Sequence, residues 1–223
     1  MSVVLRWMLR QAEANPDPQE VALHSELVSD LSGVVVEVGC GRGRLFARYP
    51  ATVTRLVAVE PDADMRSVAA GVAAALPFPA EVLDGDAGRL PLPDACADAV
   101  VFAEVLCSVP DQDQALAEAR RVLRPGGELR LYEHVVAERA AGRLGQRIAD
   151  ATVWTRVLGG CRTSRDTLAA LRRAGFRTEG LRRVWSASGW LAAPAGPHIL
   201  GRATLTPTPP PRDHAVPSDH GEP

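Results

Sequence analysis

The segment Val34–Leu45, with the sequence VVVEVGCGRGRL, decides the fold class of this chain. Its first residues form an apolar, β-branched run typical of a strand buried in a sheet. Three alternate glycines, Gly39, Gly41 and Gly43, follow this run. Glycines allow a tight turn and a close approach of the backbone to a ligand. A glycine loop directly after a buried strand is typical of a nucleotide-type site in an α/β sheet.

Apolar runs alternate with helical patterns along the rest of the chain, which predicts an α/β protein with a doubly wound, mostly parallel sheet. The predicted strands are Val34–Val38, Leu56–Glu60, Glu81–Asp84, Ala99–Ala103, Glu128–His134, Gly180–Ser186 and His198–Thr206. The predicted helices are Arg44–Arg48, Asp64–Ala75, Gln112–Val122 and a segment capped by Ser164 and ended by Gly175. In this interpretation, RVLRPGGELRLYEH ends a helix, turns at Pro125–Gly127 and enters the fifth strand.

Composition and helical patterning divide the chain into three parts. Residues 1–30 are predicted to be a helical N-terminal segment, and residues 31–206 the main domain. Within that domain, residues 137–163 are predicted to form a helical lid after the fifth strand. Residues 207–223 are rich in proline and poor in apolar residues, so we expect a disordered tail.

The bulk properties exclude several classes of partner. A net charge of -2 and a pI near 6.2 give no long-range attraction to nucleic acid. The apolar N-terminal stretch is interrupted by arginines and is too short to span a bilayer, so no transmembrane segment is expected. The four cysteines show no CxxC pairing and follow no export signal, which predicts reduced thiols, no metal site and a cytoplasmic protein.

Two kinds of cofactor bind at glycine loops of this type, a pyridine dinucleotide and a methyl donor. A dinucleotide loop requires GxGxxG, and Arg44 stands where its third glycine would be. Glu60 ends the second predicted strand, where a carboxylate can accept hydrogen bonds from both ribose hydroxyls. Asp86 follows the third strand, where a carboxylate can accept from an adenine amino group. Their order and spacing favour the methyl donor.

The GxGxG loop, Glu60, Asp86 and RVLRPGGELRL together resemble the class I S-adenosylmethionine-dependent methyltransferases, from about Leu31 to Leu205. The resemblance implies a Rossmann-like sheet of seven strands with an antiparallel last strand. It also implies S-adenosyl-L-methionine as cofactor and S-adenosyl-L-homocysteine as product. The cofactor-binding residues that it implies are Glu37, Gly39, Gly41, Gly43, Glu60, Pro61, Met65 or Asp62, Asp86, Ala87, Phe102, Ala103 and Glu104.

A narrower resemblance concerns the methyl acceptor. The pieces VLCSV (Val105–Val109), EHV (Glu133–Val135), GC before TSRDTLAALRRAGF, and PHILG (Pro197–Gly201) resemble the alkyl thiol S-methyltransferases. The mammalian members of that group are membrane-associated, and this sequence differs in lacking their hydrophobic anchor. The resemblance implies a small thiol as acceptor, with Cys107, Trp154 and His198 in its pocket. Methylation of nitrogen or oxygen in a small metabolite or lipid headgroup is the alternative.

His134, at the end of the fifth strand and next to Glu133, is the candidate for an acceptor-side base. The alternative for His134 is a structural role at the end of the strand. For His198 a structural role is the leading interpretation, and His24, His214 and His220 are set aside because they lie in the predicted leading helix and tail. The cysteines are interpreted as packing residues, because a zinc site requires about four ligands with short paired spacings.

Two further function classes compete with an enzyme that transfers methyl groups. A dehydrogenase would require the missing third glycine. A non-catalytic domain that only binds the cofactor would be expected to lose some of the cofactor positions, and here all are filled. Nucleic-acid methylation is disfavoured, because no basic stripe stands out and no Asn/Asp-Pro-Pro-aromatic motif follows the fourth strand. The sequence fixes no oligomeric state.

Overall fold

A computed structural model describes residues 17–152, 155, 159–186 and 194–206 of the chain. The helices in these ranges are α1 (Pro18–Val28), α2 (Ala63–Ala73), α3 (Gln112–Val122), α4 (Ala140–Asp150) and α5 (Thr167–Arg173). The strands are β1 (Gly33–Val38), β2 (Val53–Val59), β3 (Ala80–Leu83), β4 (Ala97–Ala103), β5 (Leu123–His134), β6 (Phe176–Arg177), β7 (Leu181–Trp185) and β8 (Pro197–Leu205). The predicted proline-rich tail and the start of the predicted N-terminal segment lie outside the described residues.

The strands form one sheet in the order β3-β2-β1-β4-β5-β8-β6, with β7 also paired to β8. The pairs among β1 to β5 are parallel, and β8 runs antiparallel to β5. The predicted Rossmann-like sheet with one antiparallel strand is therefore confirmed. No helix in the described ranges is long and apolar enough to cross a membrane.

The structure has eight strands in these ranges where the sequence predicts seven, because the edge beyond β8 is split. β6 pairs with Thr204 and Leu205, whereas β7 pairs with the stretch Pro197–Gly201. Between these pairings a Cβ on Gly201 would lie 2.3 Å from the carbonyl oxygen of Gly180. This close approach of two backbones requires glycine. It lies between the two pairings, so β6 and β7 pair with β8 as two short strands instead of one long edge strand.

A hydrophobic core lies on each face of the sheet. One core contains Leu116 of α3 and Leu171 of α5, together with Phe102 of β4. The other contains Leu27 of α1 and Ala69 of α2. The central strands lie between these two cores and are buried on both faces, which is why β1 and β4 contain near-continuous Val and Ala runs.

Two local predictions are wrong. The segment Arg44–Arg48 forms a single 3-10 turn over Phe46–Arg48 instead of an α-helix. Pro50 disfavours helical backbone at the preceding Tyr49, whose ψ is 132°. The cap of α5 is Asp166, which accepts from the amide of Ala169 at 3.0 Å. The hydroxyl of Ser164 instead donates to Asp150 at 2.6 Å.

The order of the strands determines where a ligand can bind. The chain runs outward from β1 through β2 to β3, and then returns to place β4 on the other side of β1. The connections leaving β1 and β4 therefore diverge and open a crevice at the carboxyl ends of these two strands. The glycine loop after β1 and the segment after Ala103 border this crevice.

Candidate active site

A cleft of about 660 Å³, including the part open to solvent, lies at the carboxyl ends of β1 and β4. Six of its lining residues are predicted cofactor residues: Glu37, Gly39, Gly41, Met65, Ala103 and Glu104. Five are additional: His24, Cys40, Arg42, Arg44 and Leu45.

The glycine loop has a left-handed backbone at Gly39, Gly41 and Gly43, with φ of 69°, 56° and 80°. A Cβ on Gly39 would lie 2.7 Å from Val105, and one on Gly43 would lie 2.8 Å from Phe46. A Cβ on Gly41 would meet no atom within 4 Å. Gly39 and Gly43 are thus required by packing, whereas Gly41 leaves open space beside the backbone.

Glu60 holds this loop in place. Its Oε2 accepts from the amide of Gly41 at 2.8 Å, and its Oε1 accepts from the amide of Asp62 at 2.9 Å. Asp62 in turn caps α2 by accepting from the amides of Asp64 and Met65. A carboxylate has about four lone-pair sites. The two oxygens of Glu60 therefore retain capacity for further hydrogen-bond donors.

Glu37 is buried in the wall of the cleft, where it is 3% exposed. The hydroxyl of Tyr49 donates to its carboxylate at 2.7 Å. Burial raises the pKa of Glu37 to about 8, against the opposing effect of that hydrogen bond. A buried carboxyl with a raised pKa favours the approach of a cation, since a positive charge would stabilise its ionised form.

The other predicted cofactor residues are distributed around the ends of the strands. Pro61 follows Glu60 directly, Ala87 is buried, and Asp86 accepts from the amide of Gly88 at 2.8 Å. Phe102 is fully buried in the core, so its side chain faces away from the cleft.

Helix α1 covers one side of the cleft, which the sequence did not indicate. His24 lines the cleft, and among the described residues its Nε2 has no hydrogen-bond partner. Burial lowers the pKa of His24 to about 4, so the ring is neutral at physiological pH. Glu20 of α1 pairs with Arg44 of the glycine loop at 2.7 Å, which holds the helix against that loop.

At its inner end the cleft meets a cluster of histidines around Glu104. Oε1 of Glu104 lies 3.4 Å from Nε2 of His198 and 3.8 Å from Nε2 of His134. The two histidine rings are 4.1 Å apart, and the ring of His198 stacks on Tyr132 at 4.7 Å. The edge of His24 contacts the other side of Tyr132, at 5.2 Å. The cluster thus joins α1, β4, β5 and β8.

The charges in this cluster are set by its members. Burial opposes the ionisation of Glu104, but the hydrogen bond to His198 and the three neighbouring histidines lower its pKa to about 2. Burial also opposes the protonation of His134, but Cys107, Glu104 and Glu133 raise its pKa to about 9. Nδ1 of His134 faces Cys161, Nε2 faces Glu104, and the ring lines neither pocket, so the geometry does not support the predicted role of an acceptor-side base.

Glu133 does not reach the cleft. It is fully buried, and its carboxylate accepts from the amides of Val105, Leu106 and Cys107 at 2.7, 2.9 and 3.2 Å. Both oxygens are therefore engaged with the loop that follows β4. The predicted catalytic role has no support in this arrangement, which assigns Glu133 to the positioning of that loop.

A second, more apolar pocket of about 1090 Å³ adjoins this cluster on the side of α4 and β7. Val184, Trp185, Pro197 and His198 line it, together with the first turn of α4. His198 therefore contacts Glu104 of the cleft and also forms part of the wall of the second pocket. The predicted pocket residue Trp154 lies outside the described residues.

Cys107 and Cys161 are brought together with His134, although they are distant in sequence. Their two sulfur atoms and Nδ1 of His134 all lie within 4.8 Å of one another. Sγ of Cys161 is 3.7 Å from Nδ1 of His134. The sequence predicted packing cysteines and no metal site, because no short paired spacing signals this cluster.

The residues in and around the cleft fit S-adenosylmethionine, which carries a ribose, an adenine and an ammonium group. Gly41 leaves space beside the loop, Glu60, which holds that loop, has free acceptor capacity, and Glu37 presents a buried carboxyl. His24 also lines the cleft, and its Nε2 lies 3.8 Å from Glu20 without a hydrogen-bond partner among the described residues.

Comparison with known proteins agrees with this site. Residues 36–131 match the family described as a methyltransferase domain. Thiol S-methyltransferase TMT1B of Mus musculus is 33% identical over 184 residues, covering 79% of this chain and 74% of that protein. Thiol S-methyltransferase TMT1A of Homo sapiens is 33% identical over 175 residues, covering 76% and 69%.

Solved structures show the same fold at lower sequence identity. A putative methyltransferase from Bacillus halodurans C-125 has a TM-score of 0.65 and 18% identity, covering 83% of this chain and 96% of that chain. Geranyl diphosphate methyltransferase in complex with S-adenosylmethionine has a TM-score of 0.67 and 15% identity, covering 84% and 85%.

The sheet order, the cleft and the extent of the curated matches all agree. The similarity to solved structures supports the fold, and the two relatives at 33% identity support the family assignment. The chain belongs to the class I S-adenosylmethionine-dependent methyltransferases, among relatives that include thiol S-methyltransferases.

Proposed function

We propose that this enzyme transfers the methyl group of S-adenosylmethionine to the sulfur atom of a small thiol. The observation that carries the proposal is the cluster of Glu104, His134 and His198, which joins the cofactor cleft to the apolar pocket. The two curated relatives named thiol S-methyltransferases support the choice of sulfur.

On the cofactor side, each polar group of the cleft has a distinct task in this proposal. When bound, S-adenosylmethionine supplies an electrophilic methyl group on a sulfonium. Glu60 accepts from the ribose hydroxyls, and Glu37 pairs with the ammonium group. Asp86 and Ala87 contact the adenine edge, Pro61 and Met65 border its ring, and the backbone of Gly41 and Ala103 lies along the methionine part.

On the acceptor side, the second pocket has room for a small molecule. Its wall combines the rings of Trp185 and Pro197 with the charged residues Glu138, Arg139 and Arg183. We propose that the described part of the predicted lid, residues 137–152, 155 and 159–163, covers this pocket. Binding there places the acceptor group near His198, so that much of the rate enhancement comes from holding two reactants in line.

The acceptor thiol has to lose its proton for methyl transfer to sulfur. A free thiol has a pKa of about 8.5, and the thiolate is the reactive form. The thiol proton leaves to solvent, the new carbon–sulfur bond forms on the acceptor, and the bond to the sulfonium breaks with its electron pair.

A panel of acceptors with labelled donor tests the choice of sulfur. Hydrogen sulfide, small alkyl thiols and dithiols are compared with amines and phenols under identical conditions. We expect labelled thioethers from the apolar thiols. Turnover with amines or phenols only would refute sulfur as acceptor and favour the alternative of nitrogen or oxygen methylation.

A further inference from the structure

We infer that Cys107, Cys161 and His134 bind one zinc ion. These side chains offer two sulfur atoms and one imidazole nitrogen, the donors that zinc prefers in proteins. The three donor atoms lie within 4.8 Å of one another, and the cysteines are 1% and 5% exposed. The site is separate from the cofactor cleft, which none of the three residues lines.

The spacing of the donor atoms fits tetrahedral zinc. Bonds of about 2.3 Å to sulfur and about 2.0 Å to nitrogen at a tetrahedral angle place these two atoms about 3.5 Å apart. The observed distance from Sγ of Cys161 to Nδ1 of His134 is 3.7 Å. Little movement of these two ligands is therefore needed to accept the ion.

Backbone contacts hold the ligands in place independently of a metal. Glu133 accepts from the amide of Cys107, whose carbonyl oxygen accepts from the amide of Arg162 at 2.9 Å. The second bond ties the segment that carries Cys161 to the loop after β4. His134 is paired with His198 across β5 and β8. A preformed donor set of this kind lowers the cost of ordering the ligands.

Glu104 completes the arrangement around His134. Nδ1 of this histidine faces the cysteines, while Nε2 lies 3.8 Å from the carboxylate of Glu104. Histidine ligands of zinc commonly direct their second nitrogen at a carboxylate, which fixes the tautomer and the orientation of the ring. The same histidine thus connects the zinc site with the cofactor cleft.

Three protein ligands leave one tetrahedral position, which water can fill. The three side chains line neither the cofactor cleft nor the second pocket, so the ion is assigned a structural task. It would crosslink the end of β5, the loop after β4 and the segment that carries Cys161.

Cobalt titration of the full chain tests the metal site directly. The protein is stripped with a chelator, carries no polyhistidine tag, and is kept reduced with a phosphine. We expect one equivalent of Co²⁺ to give thiolate charge-transfer and tetrahedral d–d bands that Zn²⁺ removes.

Single substitutions identify the ligands. Cys107→Ser and Cys161→Ser should lose the charge-transfer intensity, while each retains binding of S-adenosylhomocysteine as proof of folding. Cys96→Ser is the matched control, since Cys96 is a half-buried thiol outside the cluster. Wild-type protein without cobalt bands, or unchanged bands in both ligand variants, would overturn the site.

The metal site and the proposed function fail in different ways. Zinc binding without any methylation of thiols would refute the acceptor and leave the metal site standing. Methylation of thiols by a protein that gives no cobalt bands would refute the metal site, and the proposed function would then remain.

Discussion

The cofactor side and the acceptor side of the sheet present their functional groups in different ways. On the cofactor side, Glu60 contacts Gly41 and Asp62, and these groups lie next to the ends of adjacent strands. On the acceptor side, Glu104 lies close to histidines that come from α1, β5 and β8. The first arrangement depends on local motifs, whereas the second depends on the packing of distant segments. Substitutions on the two sides should therefore separate cofactor affinity from turnover.

Glu133 lies at the boundary of the two sides, so its removal should have the largest effect. Glu133→Ala leaves three buried amides of the loop after β4 without acceptors. We expect a loss of about 4 kcal/mol in the free energy of unfolding. Urea unfolding measures this loss. Asp98→Ala is the control, because Asp98 accepts from one amide, that of Val34, and pairs with Arg124 in a partly exposed place, so its loss should cost about 1–2 kcal/mol. Equal losses in the two variants would contradict the assignment.

Glu60→Ala tests the cofactor side. The change removes the acceptor of the Gly41 amide and the proposed ribose acceptor, so the affinity for S-adenosylhomocysteine should fall about 100-fold. Calorimetry measures the affinity. Glu81→Ala removes a carboxylate from the neighbouring β3 that pairs only with surface Arg55 among the described residues, and should leave the affinity unchanged. An unaltered affinity in Glu60→Ala would show that the glycine loop is not the cofactor site.

His134→Ala tests the acceptor side. The ring lies in the cluster around Glu104 and does not line the cofactor cleft. Turnover of thiols should fall about 100-fold, while the affinity for S-adenosylhomocysteine stays within about twofold. Initial rates and calorimetry on the same preparation measure both quantities. If the affinity fell as much as the rate, His134 would affect cofactor binding as well as turnover, which would contradict the separation of the two sides.

Glu37 gives the smallest predicted effect, a pH dependence of cofactor-product binding. Its pKa of about 8 exceeds the ordinary 4.5, so the cofactor-free protein keeps this proton up to about pH 8. Pairing with an ammonium group requires the ionised form, and the affinity should therefore fall about fivefold from pH 8 to pH 7. Titrations at several pH values measure this slope. Glu37→Gln should flatten it, and the same slope in both proteins would exclude Glu37 as its source.

The raised pKa of Glu37 also predicts how the free energy of unfolding of the ligand-free protein depends on pH. In the unfolded chain the carboxyl ionises near 4.5, whereas in the folded protein it ionises near 8. Between these values the folded state binds more protons than the unfolded state, so the contribution of Glu37 to stability decreases as the pH rises. Bound product should reduce this decrease, because its ammonium group favours the ionised carboxyl.

The parts of the fold that the sequence predicted are those with local signals. The strand at Val34–Val38 and the helix at Gln112–Val122 follow from apolar runs and periodicity. The cap of α5 was misplaced because Ser164 and Asp166 are both suitable capping residues, and only the tertiary contact of Ser164 with Asp150 decides between them.

The acceptor side could not be predicted to the same depth. Cys107, His134 and Cys161 come from three separate segments, and no pattern of spacing marks them as neighbours. His24 was set aside because it lies in the leading helix, and the packing of α1 against the sheet places it in the cleft. Such groups become visible only when long-range packing is known.

The backbone at Glu104 has a consequence for attempts to alter this enzyme. Its φ of 60° is unusual for a residue other than glycine, and asparagine and aspartate tolerate it best. Two separate requirements limit the substitutions that this position accepts. The left-handed backbone restricts the shape of the side chain, and the histidine cluster requires its negative charge. Glycine and asparagine would relieve the strain but lose the negative charge, β-branched residues would fail on both counts, and aspartate alone would relieve strain and retain the charge.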